Sequence, residues 1–89
     1  MATDDLPVFP GFRQMAESRR ELLATLVDRR RTLGLSQTEV AARMRTSQSA
    51  VARIEGRPGD LRVSTLERYA AALGQRIDWR LADPARKRP

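Results

Sequence analysis

The pattern Ser–x–x–Glu occurs at Ser18/Glu21, Ser36/Glu39 and Ser64/Glu67, and each copy opens onto apolar residues spaced three and four apart. At a helix start the Ser hydroxyl accepts from the N–H three residues on. The Glu carboxylate accepts from the N–H of the Ser, so two otherwise orphaned donors are satisfied together. Repeated starts of this kind divide the chain into a succession of short helices. The first stripe holds Leu22, Leu23, Leu26, Arg30 and Leu33, and Gly34 follows where a left-handed residue is wanted to end a helix. The second runs over 37–44 with Val40, Ala41 and Met44 inward. A third spans about 48–55 with Val51 and Ile54 inward, capped by Thr46 or Ser47. Residues 56–60, Gly-Arg-Pro-Gly-Asp, read as a loop. The fourth helix begins at Ser64, carries Leu66, Tyr69, Ala70 and Leu73, and stops at Gly74.

After Gly74 the period changes. Ile77, Trp79 and Leu81 alternate with Arg76, Asp78 and Arg80, the period-two pattern of a half-buried strand. A lone strand of that kind is an unpaired edge beside an apolar patch. It either pairs with a second copy or lets Trp79 fold back on its own helices. Pro84 ends it, leaving 84–89 as a basic tail. The division expected is an N-terminal arm over 1–17, a helical domain over 18–74, a dimerisation strand over 75–83 and the tail. Phe9 and Phe12 could pin the arm to the body, and the arm could cover the core, touch a ligand or bind a partner.

Composition narrows the partner. Arg and Lys total 17 against 11 acidic residues, giving +6 and a pI near 11.4, which favours a polyanion. Arg-rich usage is also ordinary in high-GC genomes, so charge by itself decides little. There is no Cys and no His, which removes thiolate and imidazole metal sites and Ser-His or Cys-His catalysis. No Gly-rich phosphate loop or activated nucleophile appears, so neither an enzyme nor a cofactor is expected. No apolar run approaches the ~18 residues of a membrane span, and the N-terminus lacks a signal-peptide pattern. A soluble cytoplasmic protein, nucleoid-associated if it binds DNA, is the expectation. A membrane-surface peptide around 19–31 fits poorly with several capped helices.

The informative stretch is Leu35–Glu55, LSQTEVAARMRTSQSAVARIE. Two short helices joined by a three- to four-residue turn follow the helix-turn-helix plan, in which the second helix enters the DNA major groove. Small Ala41 and Ala42 permit close approach, and Val40, Met44, Val51 and Ile54 supply the seam. Ser47, Gln48, Ser49, Ala52 and Arg53 face outward on the second helix, short polar groups plus one Arg. The bland alternative is a four-helix domain in which they are only a solvated face.

From about Leu22 to Gly74, in RRRTLGLSQTEVAARM, TSQSAVARIEG and STLERYAAALG, the chain resembles the Xre/Cro/C1 helix-turn-helix family. That resemblance implies an all-α, four- to five-helix lambda-repressor-like domain acting as a sequence-specific regulator. By position, Gln37 would hold a phosphate and brace the recognition helix. Ser47, Gln48, Ser49 and Arg53 would face bases or adjoining phosphates, with Gln48 suited to adenine and Arg53 to guanine. Arg43 and Arg57 fall where the family contacts the backbone, and Arg30 with Glu55 matches a structural ion pair. One departure stands out: the turn often has Gly where this chain has Arg45, so a differently shaped turn is expected. The tail QRIDWRLAD resembles HipB- and HigA-type antitoxins, and the likeness to the HipB type implies that the strand pairs with its copy in a second subunit. The implied partners are double-stranded DNA with a palindromic operator, a second copy, and, if the antitoxin role applies, a cognate toxin. The alternative function is a protein-binding module of the same fold that no longer binds DNA.

Overall fold

The computed structural model describes residues 10–57 and 61–81, with side chains of the first helix described from Met15 onward. Among these residues the regular structure consists of four helices: α1 Pro10–Thr32, α2 Gln37–Met44, α3 Gln48–Gly56 and α4 Val63–Ala72. The anticipated anchoring of Phe9 and Phe12 and the basic tail over 84–89 lie outside the described residues and side chains.

Two helix starts differ from expectation. The first helix begins at Pro10 and passes straight through Ser18 and Glu21, so residues 10–17 are helix rather than arm. Proline is a natural opener because its missing N–H falls where the first turn has no acceptor to offer. The pair Ser18/Glu21 is simply one turn of a continuing helix. The fourth helix begins at Val63 with Arg62 as its N-cap and no side-chain cap bond. Glu67 is turned instead to the tail, accepting from Trp79 Nε1 at 2.8 Å. The middle capping box is formed in full. Ser36 Oγ accepts from Glu39 N at 3.0 Å, and Glu39 Oε1 accepts from Ser36 N at 2.9 Å. Ser47, not Thr46, caps α3 by accepting from Ala50 N at 3.1 Å.

The core gathers Leu23 and Leu26 of α1, Val40, Ala41 and Met44 of α2, Val51 of α3, and Leu66, Tyr69, Ala70 and Ala72 of α4, closed by Leu73. Ile54, Leu22 and Ile77 pack against its margin. Leu33, expected in the buried stripe, is 47% exposed, because it lies past the last residue of α1. Ala42 is also exposed, and Ala41 alone makes the close approach between α2 and its neighbours.

Three helices end in the same way. Leu35 N donates to Arg30 O and Gly34 N to Arg31 O; Gln75 N donates to Ala70 O and Gly74 N to Ala71 O. Thr46 N donates to Ala41 O and Arg45 N to Ala42 O. Each is the paired 6→1 and 5→2 closure that needs a left-handed residue between its two donors. Gly34 and Gly74 take φ of 73° and 74°. Arg45 takes φ 59° and ψ 48°. The turn between α2 and α3 therefore keeps the glycine shape, and Arg45 bears the ~1–2 kcal/mol that a side chain costs there.

From 75 to 81 the chain adopts no helix or paired strand, and no ladder forms among the described residues.

Candidate nucleic-acid interface

Helix α3 has one outward arc. At 100° per residue Gln48, Ala52, Ser49 and Arg53 follow one another around it, while Val51 and Ile54 point to the core. Gln48, Ser49 and Arg53 are exposed. Ser47 is divided between two tasks, since its hydroxyl caps the helix and lies 3.1 Å from that of Ser49. Arg57 follows the helix as its exposed C-cap, with its own N–H bound to Arg53 O.

Beside the packing of Val51 in the core, a single carboxylate ties α3 to the other three helices. Glu55 Oε2 accepts from Tyr69 Oη at 2.6 Å and from Arg30 Nε at 2.8 Å. Glu55 Oε1 accepts from Gln37 Nε2 at 3.0 Å and Arg30 Nη2 at 3.2 Å. Arg30 also donates to Leu35 O at 2.8 Å. All four helices thus meet at Glu55. The Arg30 and Glu55 side chains are only 10% and 9% exposed. Burial by itself would push the Glu55 carboxyl up, but the bonds from Tyr69, Arg30 and Gln37 and the Arg30 charge hold it below its ordinary range. The hydrogen bond to Glu55, opposed by burial, strengthens the Arg30 charge further. Burial, then the proximity of Glu55, drives the Tyr69 hydroxyl far above its usual range, so it stays a donor.

The network continues to the surface. Gln48 Nε2 donates to Gln37 Oε1 at 2.7 Å, so the first outward residue of α3 is tied through Gln37 to Glu55. An amide nitrogen carries two hydrogens. Gln37 retains one N–H for an anion after serving Glu55. Gln48 retains one N–H and its carbonyl, the pair needed for a bidentate contact to adenine.

Arg43 lies elsewhere. Its Nη1 donates to Ala72 O at 2.9 Å, and Arg68 Nη2 donates to Met44 O at 2.7 Å. Each of α2 and α4 thereby closes the last carbonyls of the other, groups that no helix can satisfy for itself. Tyr69 and Arg68 were not foreseen in these roles. A buried tyrosine usually needs a partner for its hydroxyl, and that was the available signal. In the tail, Ile77 is partly buried, Trp79 is 50% exposed and Leu81 fully so. The Arg76–Asp78 pair is solvent-exposed, at 3.2 Å. Among the described residues no cluster of three or more His, Cys, Asp or Glu could hold a metal, and no helix is long and apolar enough to cross a membrane.

Residues 26–80 match the helix-turn-helix family model HTH_3. The chain is 44% identical over 71 residues to proteins named Antitoxin HigA1 from two strains of Mycobacterium tuberculosis, CDC 1551 / Oshkosh and ATCC 25618 / H37Rv. The aligned region covers 80% of this chain and 48% of each relative, so the chain spans about half the length of the curated relatives it matches. No solved structure matches it significantly.

Proposed function

The chain belongs to the helix-turn-helix family, and from that premise we propose that it is a sequence-specific, non-enzymatic DNA-binding regulator that acts as a homodimer. The observation that carries the reading is the Glu55–Gln37–Gln48 chain, which fixes a short helix by its buried side and leaves Gln48, Ser49 and Arg53 facing out. In this reading Gln48 and Arg53 read bases, Ser47 and Ser49 serve bases or phosphate at the helix start, and Gln37 holds a phosphate. Arg57 takes the backbone beyond the helix. Arg43 keeps further N–H groups for phosphate while one serves Ala72. The strand expected over 75–83 forms between two copies through Ile77, Trp79 and Leu81. Support comes from the backbone N–H groups of 76–81, which find no backbone acceptor among the described residues, and from the exposure of Trp79 and Leu81. Two recognition helices about 34 Å apart would then read a palindrome.

The test is footprinting on genomic fragments, the gene's own promoter included, with the mass in solution measured alongside. A palindromic footprint that Gln48→Ala weakens by ~1–3 kcal/mol, with one base position relaxed, is expected. Binding indifferent to sequence, or a monomeric mass unaltered by Trp79→Ala, would sink it. The identity to proteins named antitoxins favours a second role, neutralising a toxin encoded beside this gene. Rescue of growth when the two are co-expressed is the expected result, and its absence would leave the regulator alone.

A further inference from the structure

A helix lying in a major groove about 12 Å wide has a phosphate backbone on each side. On one side of α3 stands Gln37. The other side opens into a groove whose lining includes Thr46, Ala50, Arg53, Arg62, Thr65 and Arg68. It shares Met44 and Arg68 with a second concavity that adds Arg43 and Arg45. Five guanidinium groups therefore border a trough made of two adjoining concavities between α2, α3 and α4, which meet at the Arg68 Nη2–Met44 O bond, and no described acidic residue lines either. Glu67, the acidic residue of α4, faces away and binds Trp79. Arg43 and Arg68 are each fixed by a backbone carbonyl, so their remaining N–H groups are held in place. Arg62 and Arg45 are exposed. Arg45 occupies the left-handed position that glycine fills at the ends of α1 and α4, so a cation stands where the backbone does not favour one.

We propose that this trough binds the phosphodiester backbone of the DNA strand opposite to the one met by Gln37, with Arg45 and Arg62 as its outer phosphate contacts and Arg68 as its inner one. It rests on the DNA-binding reading and extends the interface to residues that the helix-turn-helix pattern does not single out. The trough gives affinity without sequence preference, because phosphates are the same at every base pair.

The test uses Arg62→Gln, Arg45→Gln and their combination. Arg62 makes no side-chain cap bond, and Gln at 45 meets the same backbone restriction as Arg, so both should melt as wild type does. Binding to the footprinted site and to an unrelated duplex of equal length is followed from 50 to 200 mM salt. Each lost phosphate contact lowers the slope of log K against log salt by about 0.9. The double variant should lose nearly two from the slope, and its deficit against wild type should shrink about tenfold across that range, equally on both duplexes. An unchanged slope in a protein that still protects its site overturns the trough and leaves the regulator reading intact. Loss confined to the specific site overturns it too, since Arg45 or Arg62 would then read bases. If wild type shows no site preference, the regulator reading fails, and the slope on the unrelated duplex alone decides the trough. A wild type that binds neither duplex removes both.

Discussion

Replacing Glu55 by Gln keeps the shape of the side chain and removes the charge on which all four helices converge. The carboxylate accepts from Tyr69, from two nitrogens of Arg30 and from Gln37. The amide offers one good acceptor and places two hydrogens against those donors. Arg30 is then a cation with a 10% exposed side chain and no counter-charge. Breaking a buried pair from one side costs ~3–5 kcal/mol. Because neither partner is wholly sealed from water, we take the low end, about 3 kcal/mol. For a domain of this size that lowers the melting temperature by roughly 12–24 °C. Tyr69→Phe removes one hydrogen bond to a charged group while keeping the ring, and should cost less, ~1.5–3 kcal/mol. The triple replacement Arg30→Met, Glu55→Leu and Tyr69→Phe removes every strong partner at once and should recover part of the Glu55→Gln loss. Urea unfolding followed by circular dichroism measures all three. If Glu55→Gln falls within ~0.5 kcal/mol of wild type, the range of an ordinary surface change, the carboxylate does not hold the helices together. If the triple variant is weaker than Glu55→Gln, the loss comes from packing rather than from an orphaned charge.

The same carboxylate sets an acid response. Its folded pKa lies below the unfolded one, so its contribution is present above about pH 4.3 and is lost as pH falls through the lower, folded value. Wild type should therefore lose stability on acidification through that window, and Glu55→Gln should show a flatter profile in urea titrations at successive pH values. Arg45→Gly should raise stability by up to ~1 kcal/mol, since relief of the left-handed strain is partly offset by the entropy of glycine. A lower melting temperature would mean the arginine side chain contributes more to the fold than its backbone costs. Ser36→Ala removes the middle capping box and should cost ~0.5–2 kcal/mol. An unchanged midpoint would mean that water replaces the cap without loss.

The helical order from Leu22 to Gly74 was legible because apolar spacing and capping are local, and each operates within a few residues. The same signals misplaced the first helix start because Ser18 and Glu21 match a capping box, although the helix already begins at Pro10, where proline's missing N–H removes a donor that has no partner there anyway. They misplaced the fourth because Glu67 had a distant competitor in Trp79, and no local pattern shows which acceptor an indole N–H will reach. The outward arc of α3 could be read from the helical period. The chain Gln48–Gln37–Glu55–Tyr69 could not, because its members come from three helices and meet only when those helices pack. Tyr69 looked like one more apolar residue in a stripe, and its ring is indeed fully buried; its hydroxyl carries the polar role. Arg43 and Arg68 were hidden for the same reason: each caps a helix other than its own.

Under the proposed interface this arrangement would couple the fold to recognition in one direction. In the proposed interface Gln48 would present its amide to a base in the orientation set by Gln37, which accepts one of its hydrogens and is oriented in turn by Glu55. Loss of Glu55 should thus disturb base reading even where the domain survives. Loss of Gln48 removes one exposed hydrogen bond and leaves the Glu55 carboxylate with all its donors. The exposed bond from Gln48 to Gln37 limits the rotamer freedom that binding would otherwise have to remove. Arg53, whose side chain has no such tether among the described residues, sits at the far edge of the arc beside the arginine trough.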